Sequence, residues 1–359
     1  MRLSALACLL TLVTTPAFAQ GQVNVYNWSD YIAEDELKRF ESEAGIKVNY
    51  TTYDSNEILD AKLRAGRSGY DVVVPTASPF FVRQLATGLY HPLDRSKLTN
   101  WKNLDPKVLE SLAKYDPGNV HGVPWMWGTI GIGYNVAEIR KRMPNAPVDS
   151  LAMIFDPAIV SRFRDCGVMV LDSATDVIPA ALKYLLLNPD SKDPANLEKA
   201  GKVLQAIRPY IRKFHSSEYI NALASGNICL AFGYSGDILQ ARDRAEKAGG
   251  REIAYRIPNQ GSMVWIDVAA IPKDAPNPDA AHRFIDFMLD PKVAAASSEV
   301  TGYANANLPA TALLDKSIAD NPLIYPNQDD RAKFYTITPG TSEQIRERTR
   351  LWTSIKTGR

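Results

Sequence analysis

Apolar and polar positions along this chain follow two periods. Val23-Asn24-Val25 and Ile46-Lys47-Val48-Asn49-Tyr50 alternate every second residue, the pattern of a strand with one buried face. Leu37 and Phe40, then Ile58, Leu59 and Leu63, recur at helical spacing; Gly45 and Gly66 close those helices and Ser55 caps the second. Tyr70 to Val74 is a compact apolar run before Pro75, which reads as a strand buried on both faces. Ser78-Pro79 supplies an N-cap followed by proline at the first helical position. Strand and helix alternate three times, so the pattern predicts a mostly parallel sheet covered by helices.

The glycine-rich, strand-like run from Val123 to Tyr134 reads as a passage between lobes. A second α/β region follows from Asn135 to Pro258. Strands are expected at Val168–Leu171, Ile228–Phe232 and Ile253–Ile257, with helices over Val177–Leu187 and Leu197–Ile207. Met263 to Ile271 forms a further strand and Asp279 to Leu289 a helix. Beyond Asn305 no period is legible until a helix over Ile345 to Lys356. This length exceeds one usual hydrophobic core, which predicts two lobes. The division expected is 20–134 with 259–310 against 135–258 with 311–359.

Met1 to Ala19 has the makings of a secretory signal peptide. Arg2 gives the positive start, Leu3 to Val13 the apolar run, and Ala17-Phe18-Ala19 the cleavage site. The mature chain is therefore expected outside the cytoplasm, in the periplasm. Of 41 basic residues only Arg2 leaves with this segment, so 40 then face 40 acids. No basic stripe is present, which argues against a nucleic-acid partner. The two cysteines that remain, Cys166 and Cys229, lie beside expected strands and read as one disulfide in an oxidising compartment.

The chemistry gathers where strands end, the place where open α/β sheets bind ligands. Trp28, Ser29, Asp30 and Tyr31 follow the first strand, and Thr76 follows the third. Asp176 comes after Val168–Leu171, and Tyr234 and Asp237 after Ile228–Phe232. Asp267 lies inside an apolar strand beside Trp265, a costly place for a carboxylate unless it is paired or faces a polar cleft. A buried salt bridge to lysine or arginine is the alternative for Asp267. Helix capping is the alternative for Asp30, Asp176 and Asp237. Rings and acids together suit an organic cation. The four histidines show no metal-ligand spacing, and no metal or cofactor is expected. Gly233-Tyr234-Ser235-Gly236 lacks the last glycine of a nucleophile elbow, because Asp stands at 237.

Longer matches sharpen this. Tyr26 to Ile32, Tyr53-Asp54-Ser55-Asn56-Glu57, Gly131 to Val136, Phe214-His215-Ser216-Ser217, Tyr303 to Asn307 and Arg348 to Trp352 resemble the periplasmic polyamine-binding receptors of bacterial ABC importers, nearest the putrescine-binding type. The resemblance covers essentially the whole mature chain. It implies a type II periplasmic binding protein of two α/β lobes that closes by hinge motion around a polyamine and docks on a membrane permease. No enzymatic activity is implied, and a monomer is expected.

Residue by residue, the resemblance implies an aromatic box of Trp28, Tyr31, Tyr234, Trp265 and Tyr303 around the methylene chain. Asp237, Asp267 and Ser29 would hold one ammonium; Asp30 and Asp176 would act nearer the other end, and Thr76 would add a polar contact. The disulfide of the putrescine type falls at Cys166 and Cys229. Four positions depart from that type: Asp176 for Glu, Tyr234 for Trp, Thr76 for Ser and Trp265 for Phe. Trp265 occurs in spermidine-type relatives, which leans the expectation toward spermidine or dual use. A ligand-presenting sensory receptor and a carboxylate-based periplasmic hydrolase are the alternatives.

Overall fold

Strand β1 (Gly21–Trp28) pairs in parallel with β2 (Ile46–Tyr53) along its whole length, from Gly21 opposite Ile46 to Trp28 opposite Tyr53. The computed structural model describes residues 21–358, so the Met1–Ala19 leader lies outside the described residues. Between the two strands runs α1 (Glu34–Ala44), which buries Phe40 and ends at Gly45, where φ is 65°. Helix α2 (Asn56–Arg64) follows β2; Ser55 caps it by accepting from the Ile58 amide, and Leu59 and Leu63 are buried. The short β3 (Val72–Val73) joins β1 in parallel.

Helical residues do follow Ser78-Pro79, through Val82–Leu85, but Ser78 does not cap them. Residues 77–81 form a five-residue turn in which Ser78 is extended, with φ −131° and ψ 135°. Its hydroxyl donates 2.6 Å to the Ile337 carbonyl instead of capping. Ile337 belongs to the stretch of sequence that carried no legible pattern, so this partner was invisible from local spacing.

Helix α3 (Pro106–Ala113) leads to β4 (Gly122–Asn135), a 14-residue strand that belongs to both sheets. Its first part pairs antiparallel with β9 (Val264–Ala270) and β10 (Ala304–Asn305). Its second part pairs antiparallel with β7 (Leu230–Tyr234) and β8 (Ile253–Arg256). The second sheet is completed by β5 (Val168–Val170) and β6 (Lys213–Phe214), parallel to one another and, through β5, to β7. Each sheet thus has a parallel part and antiparallel partners centred on β4. The strand order is β2-β1-β3-β9-β4-β7-β5-β6.

The helices of the second half are α4 (Val136–Arg142), α5 (Ala174–Tyr184), α6 (Pro194–Ile207), α7 (Tyr219–Ser225) and α8 (Ser235–Lys247), then α9 (Pro278–Met288), α10 (Pro291–Thr301) and α11 (Ser342–Thr357). Both α5 and α6 begin three residues earlier than the apolar period indicates, at Ala174 and Pro194, since polar first turns carry no buried residue to mark them. Helix α11 packs against α5 and α6. The connecting chain also bridges Met263 to Tyr335, and the Tyr335 amide donates 3.0 Å to the Ser262 carbonyl. Most buried apolar side chains form one continuous core, and a smaller cluster around Tyr26, Leu59 and Phe81 lies under α2.

Cys166 and Cys229 are joined, as the sequence suggests. The bridge stands just before β5 and β7, at the opposite ends of these parallel strands from Asp176 and Asp237. Among the described residues no helix is long and apolar enough to cross a membrane.

Candidate ligand cleft

The ends of the strands of the two sheets meet over a cleft of about 600 Å³, counting the part open to solvent. Its wall includes Trp28, Ser29, Tyr31, Thr76, Asp176, Tyr234, Asp237, Trp265, Asp267 and Tyr303, ten of the eleven residues expected from sequence. No lysine, arginine or histidine lines it among the described residues.

Sheet register builds the first wall. The antiparallel pairing of Val73 with Ala270 continues into a bridge between Thr76 and Asp267. Thr76 Oγ1 donates 2.7 Å to Asp267 Oδ1 and itself accepts from Asn56 Nδ2 at 2.9 Å. Burial pushes the Asp267 carboxyl up to about 7, against the opposing effect of the Thr76 hydrogen bond. This aspartate is therefore not the buried salt bridge that its apolar strand also allowed. Tyr31 Oη is buried beside Asp267, where its hydroxyl also opposes the rise of that carboxyl, and among the described residues no donor reaches its oxygen.

Helix starts build the second wall. Asp176 lies in the first turn of α5 and accepts 2.7 Å from Tyr234 Oη. Asp237 lies in the first turn of α8, where Oδ1 accepts 2.6 Å from Tyr303 Oη and Oδ2 accepts 2.6 Å from Tyr219 Oη. Burial raises both carboxyls to about 6, opposed by the same hydroxyl contacts. Burial also holds Tyr31, Tyr219, Tyr234 and Tyr303 well above the ordinary tyrosine range, so all four stay protonated donors.

The rings form a connected set. Trp265 stands edge-on to Tyr303, with centroids 5.1 Å apart, and to Tyr234 at 5.8 Å. Tyr31 meets Tyr303 at 5.3 Å, also edge-on. Trp28 packs on Tyr53 at 4.6 Å and is fixed by donating its indole N–H 2.8 Å to the Val74 carbonyl. Trp265 approaches because Gly128 stands opposite it on β4; a Cβ there would come within 2.8 Å of the indole.

Asp30 is not in this cleft, contrary to expectation. Its backbone is left-handed, with φ 53°, and its carboxylate lies 2.8 Å from Arg244 Nη2 of α8, lining a separate groove. It does not cap α1 either, where Ala33 occupies the cap position with no side-chain bond. The sequence gives no warning of this pairing, because the two residues are 214 positions apart. The structure adds Asn56, Ser216 and Ser217 to the wall. They lie in segments that carried the resemblance without an assigned role. Tyr219 was missed altogether, since a buried tyrosine on a helix carries no mark that separates it from core.

An arrangement of three acids, no more than 8% exposed, among aromatic faces and hydroxyl donors can hold a cation with an apolar body. It offers no metal cluster among the described residues.

Comparison with known proteins gives the same direction. Residues 37–326 match the family model described as bacterial extracellular solute-binding protein. The putrescine-binding periplasmic protein SpuD of Pseudomonas aeruginosa is 48% identical over 339 residues, covering 94% of this chain and 92% of SpuD. The putrescine-binding periplasmic protein PotF of Escherichia coli is 46% identical over 356 residues, covering 98% and 96%. The spermidine/putrescine ABC transporter substrate-binding protein PotD of Streptococcus pneumoniae has a solved structure with TM-score 0.74 and 29% identity, covering 94% of this chain and 99% of that one.

Proposed function

Because this chain belongs to the family of bacterial extracellular solute-binding proteins, we propose that it captures polyamines in the periplasm and delivers them to an ABC-type importer. It is a binding protein and not an enzyme. The observation that carries the ligand class is the cleft: three buried carboxylates contacted by hydroxyls, the rings of Trp28, Tyr31, Tyr234, Trp265 and Tyr303, and no basic side chain on the wall among the described residues.

In this reading Asp237 and Asp267 neutralise one ammonium, with Ser29 and Tyr31 Oη as further acceptors. Asp176 serves the other end, and the rings of Trp28, Tyr31, Tyr234, Trp265 and Tyr303 enclose the methylenes between. Each well-placed ring over an ammonium contributes ~0.5–2 kcal/mol. Lobe closure removes water from the methylenes, and the closed protein, a monomer, docks on the permease. The hinge divides 20–134 with 259–310 from 135–258 with 311–359. Residues 1–19 act as the cleaved export signal. The chosen amine is putrescine, spermidine or both.

A thermal-shift panel of putrescine, cadaverine, agmatine, spermidine and spermine tests this reading. At ~100 times its dissociation constant a true ligand stabilises the fold by ~2.7 kcal/mol, enough to rank the five. Absence of any shift would remove the polyamine class.

A further inference from the structure

Tyr219 does not line the cleft and is completely buried, yet its hydroxyl ends on a cleft carboxylate. Tyr219 Oη accepts from the Tyr234 backbone N–H at 3.0 Å, so its single proton is committed to Asp237 Oδ2 at 2.6 Å. Tyr303 repeats the arrangement on the other oxygen: it accepts from the Asp237 amide at 3.2 Å and donates to Oδ1 at 2.6 Å.

The two glycines of Gly233-Tyr234-Ser235-Gly236-Asp237 explain how two tyrosines reach one carboxylate. A Cβ at 233 would lie 2.5 Å from the Tyr219 ring, and one at 236 would lie 2.6 Å from the Tyr303 ring. Real Cβ atoms do not come so close, so alanine at 233 collides with the Tyr219 ring, and alanine at 236 with both the Tyr303 ring and the Thr301 carbonyl.

We propose that Tyr219 is a positioning residue of the binding site: it keeps Asp237 ionised and fixes the direction of its carboxylate, with Gly233 as the opening it passes through. The proposal rests on the amine-binding reading above. Two donors to the charged form oppose the effect of burial, which alone would favour the neutral acid. The other ionisable groups around Asp237 are Tyr303 following α10, Tyr31 following β1, Asp30, which disfavours its charge, and Arg244 of α8, which favours it.

The test is Tyr219→Phe in the whole mature chain, with two readouts. A carbon-13 NMR titration of the Asp237 carboxyl in the ligand-free protein should move its midpoint up by about one pH unit. Putrescine affinity, measured by calorimetry from pH 5.5 to 8.5, should fall by about fivefold near pH 6 and by less than about twofold at pH 8.5. Incorporating 3-fluorotyrosine at 219, nearly isosteric and a stronger donor, should shift the midpoint down, and it keeps the test decisive where Tyr219→Phe does not fold. An Asp237 midpoint unmoved by both changes, or an affinity loss equal at every pH, would overturn the proposal. If wild type binds no amine at all, the amine reading fails, while the NMR titration still decides the role of Tyr219.

Discussion

Asp267 lies on an apolar strand where a charge is expensive, and it meets a hydroxyl instead of a basic partner. On the proposed reading, a bound ammonium would supply the missing charge. Asp267→Asn should therefore weaken polyamine binding by at least about tenfold, the lower end of a ~2–5 kcal/mol loss, while the protein stays folded. Calorimetry on the folded variant checks this, and unchanged affinity would refute it. The same carboxylate makes a prediction about pH. An unfolded aspartate titrates near ~3.9. In the folded, ligand-free cleft Asp267 titrates at about 7, and Asp176 and Asp237 at about 6, because of burial. These groups bind protons more tightly when folded, so the stability they contribute is complete below about pH 4 and is lost as pH rises through 6 to 7. From pH 5 to 8 the melting temperature of ligand-free wild type should fall more than that of Asp267→Asn, as scanning calorimetry would record. Amine affinity should rise over the same window, as the carboxylates ionise.

At the scale of elements, α8 links the cleft to the contact between the two sides. Asp237 stands in its first turn and faces the cleft; Gln240 and Arg244, one and two turns on, reach the Thr301 carbonyl and the Asp30 carboxylate across the divide. The Asp30–Arg244 pair is part exposed, at 43% and 34%, so its share of closure is small. Arg244→Gln should weaken amine binding by no more than about fivefold, and the difference should shrink as salt screens the pair. A titration at low and high ionic strength reads both effects; a loss that is large and indifferent to salt would contradict it. The disulfide lies at the far ends of β5 and β7, away from the cleft. Replacing Cys166 and Cys229 together should lower stability by ~2–5 kcal/mol in a denaturant melt and leave the dissociation constant within about twofold. What was legible in the sequence follows from the same geography. The acid and ring at each strand end could be read because strand, turn and helix are local, and ten wall residues are where that reading puts them. Asp30 and Ser78 were misassigned because their partners, Arg244 and Ile337, come from distant chain. Tyr219 reaches Asp237 and Asn56 reaches Thr76 from distant chain, contacts that local pattern cannot express.

Across the whole molecule, both walls converge on one cleft. Trp28, Tyr31, Thr76, Trp265 and Asp267 come from the first sheet and its loops, and Asp176, Tyr234 and Asp237 from the second. Tyr303 donates to Asp237 and Arg244 pairs with Asp30 between the two sides, and His215 Nε2 comes within 3.6 Å of Asp54. Strand β4 is continuous between the sheets and is where a hinge bend would be absorbed. Two sides that carry like-charged acids close most readily around a cation. The direct measurement is a calorimetric titration of the mature protein with putrescine and spermidine at pH 8, where all three carboxylates are ionised. The account predicts saturable one-to-one binding of at least one of the two, lost or strongly weakened in Asp267→Asn. Absence of binding heat with either amine at several temperatures, or equal binding by the variant, would contradict it.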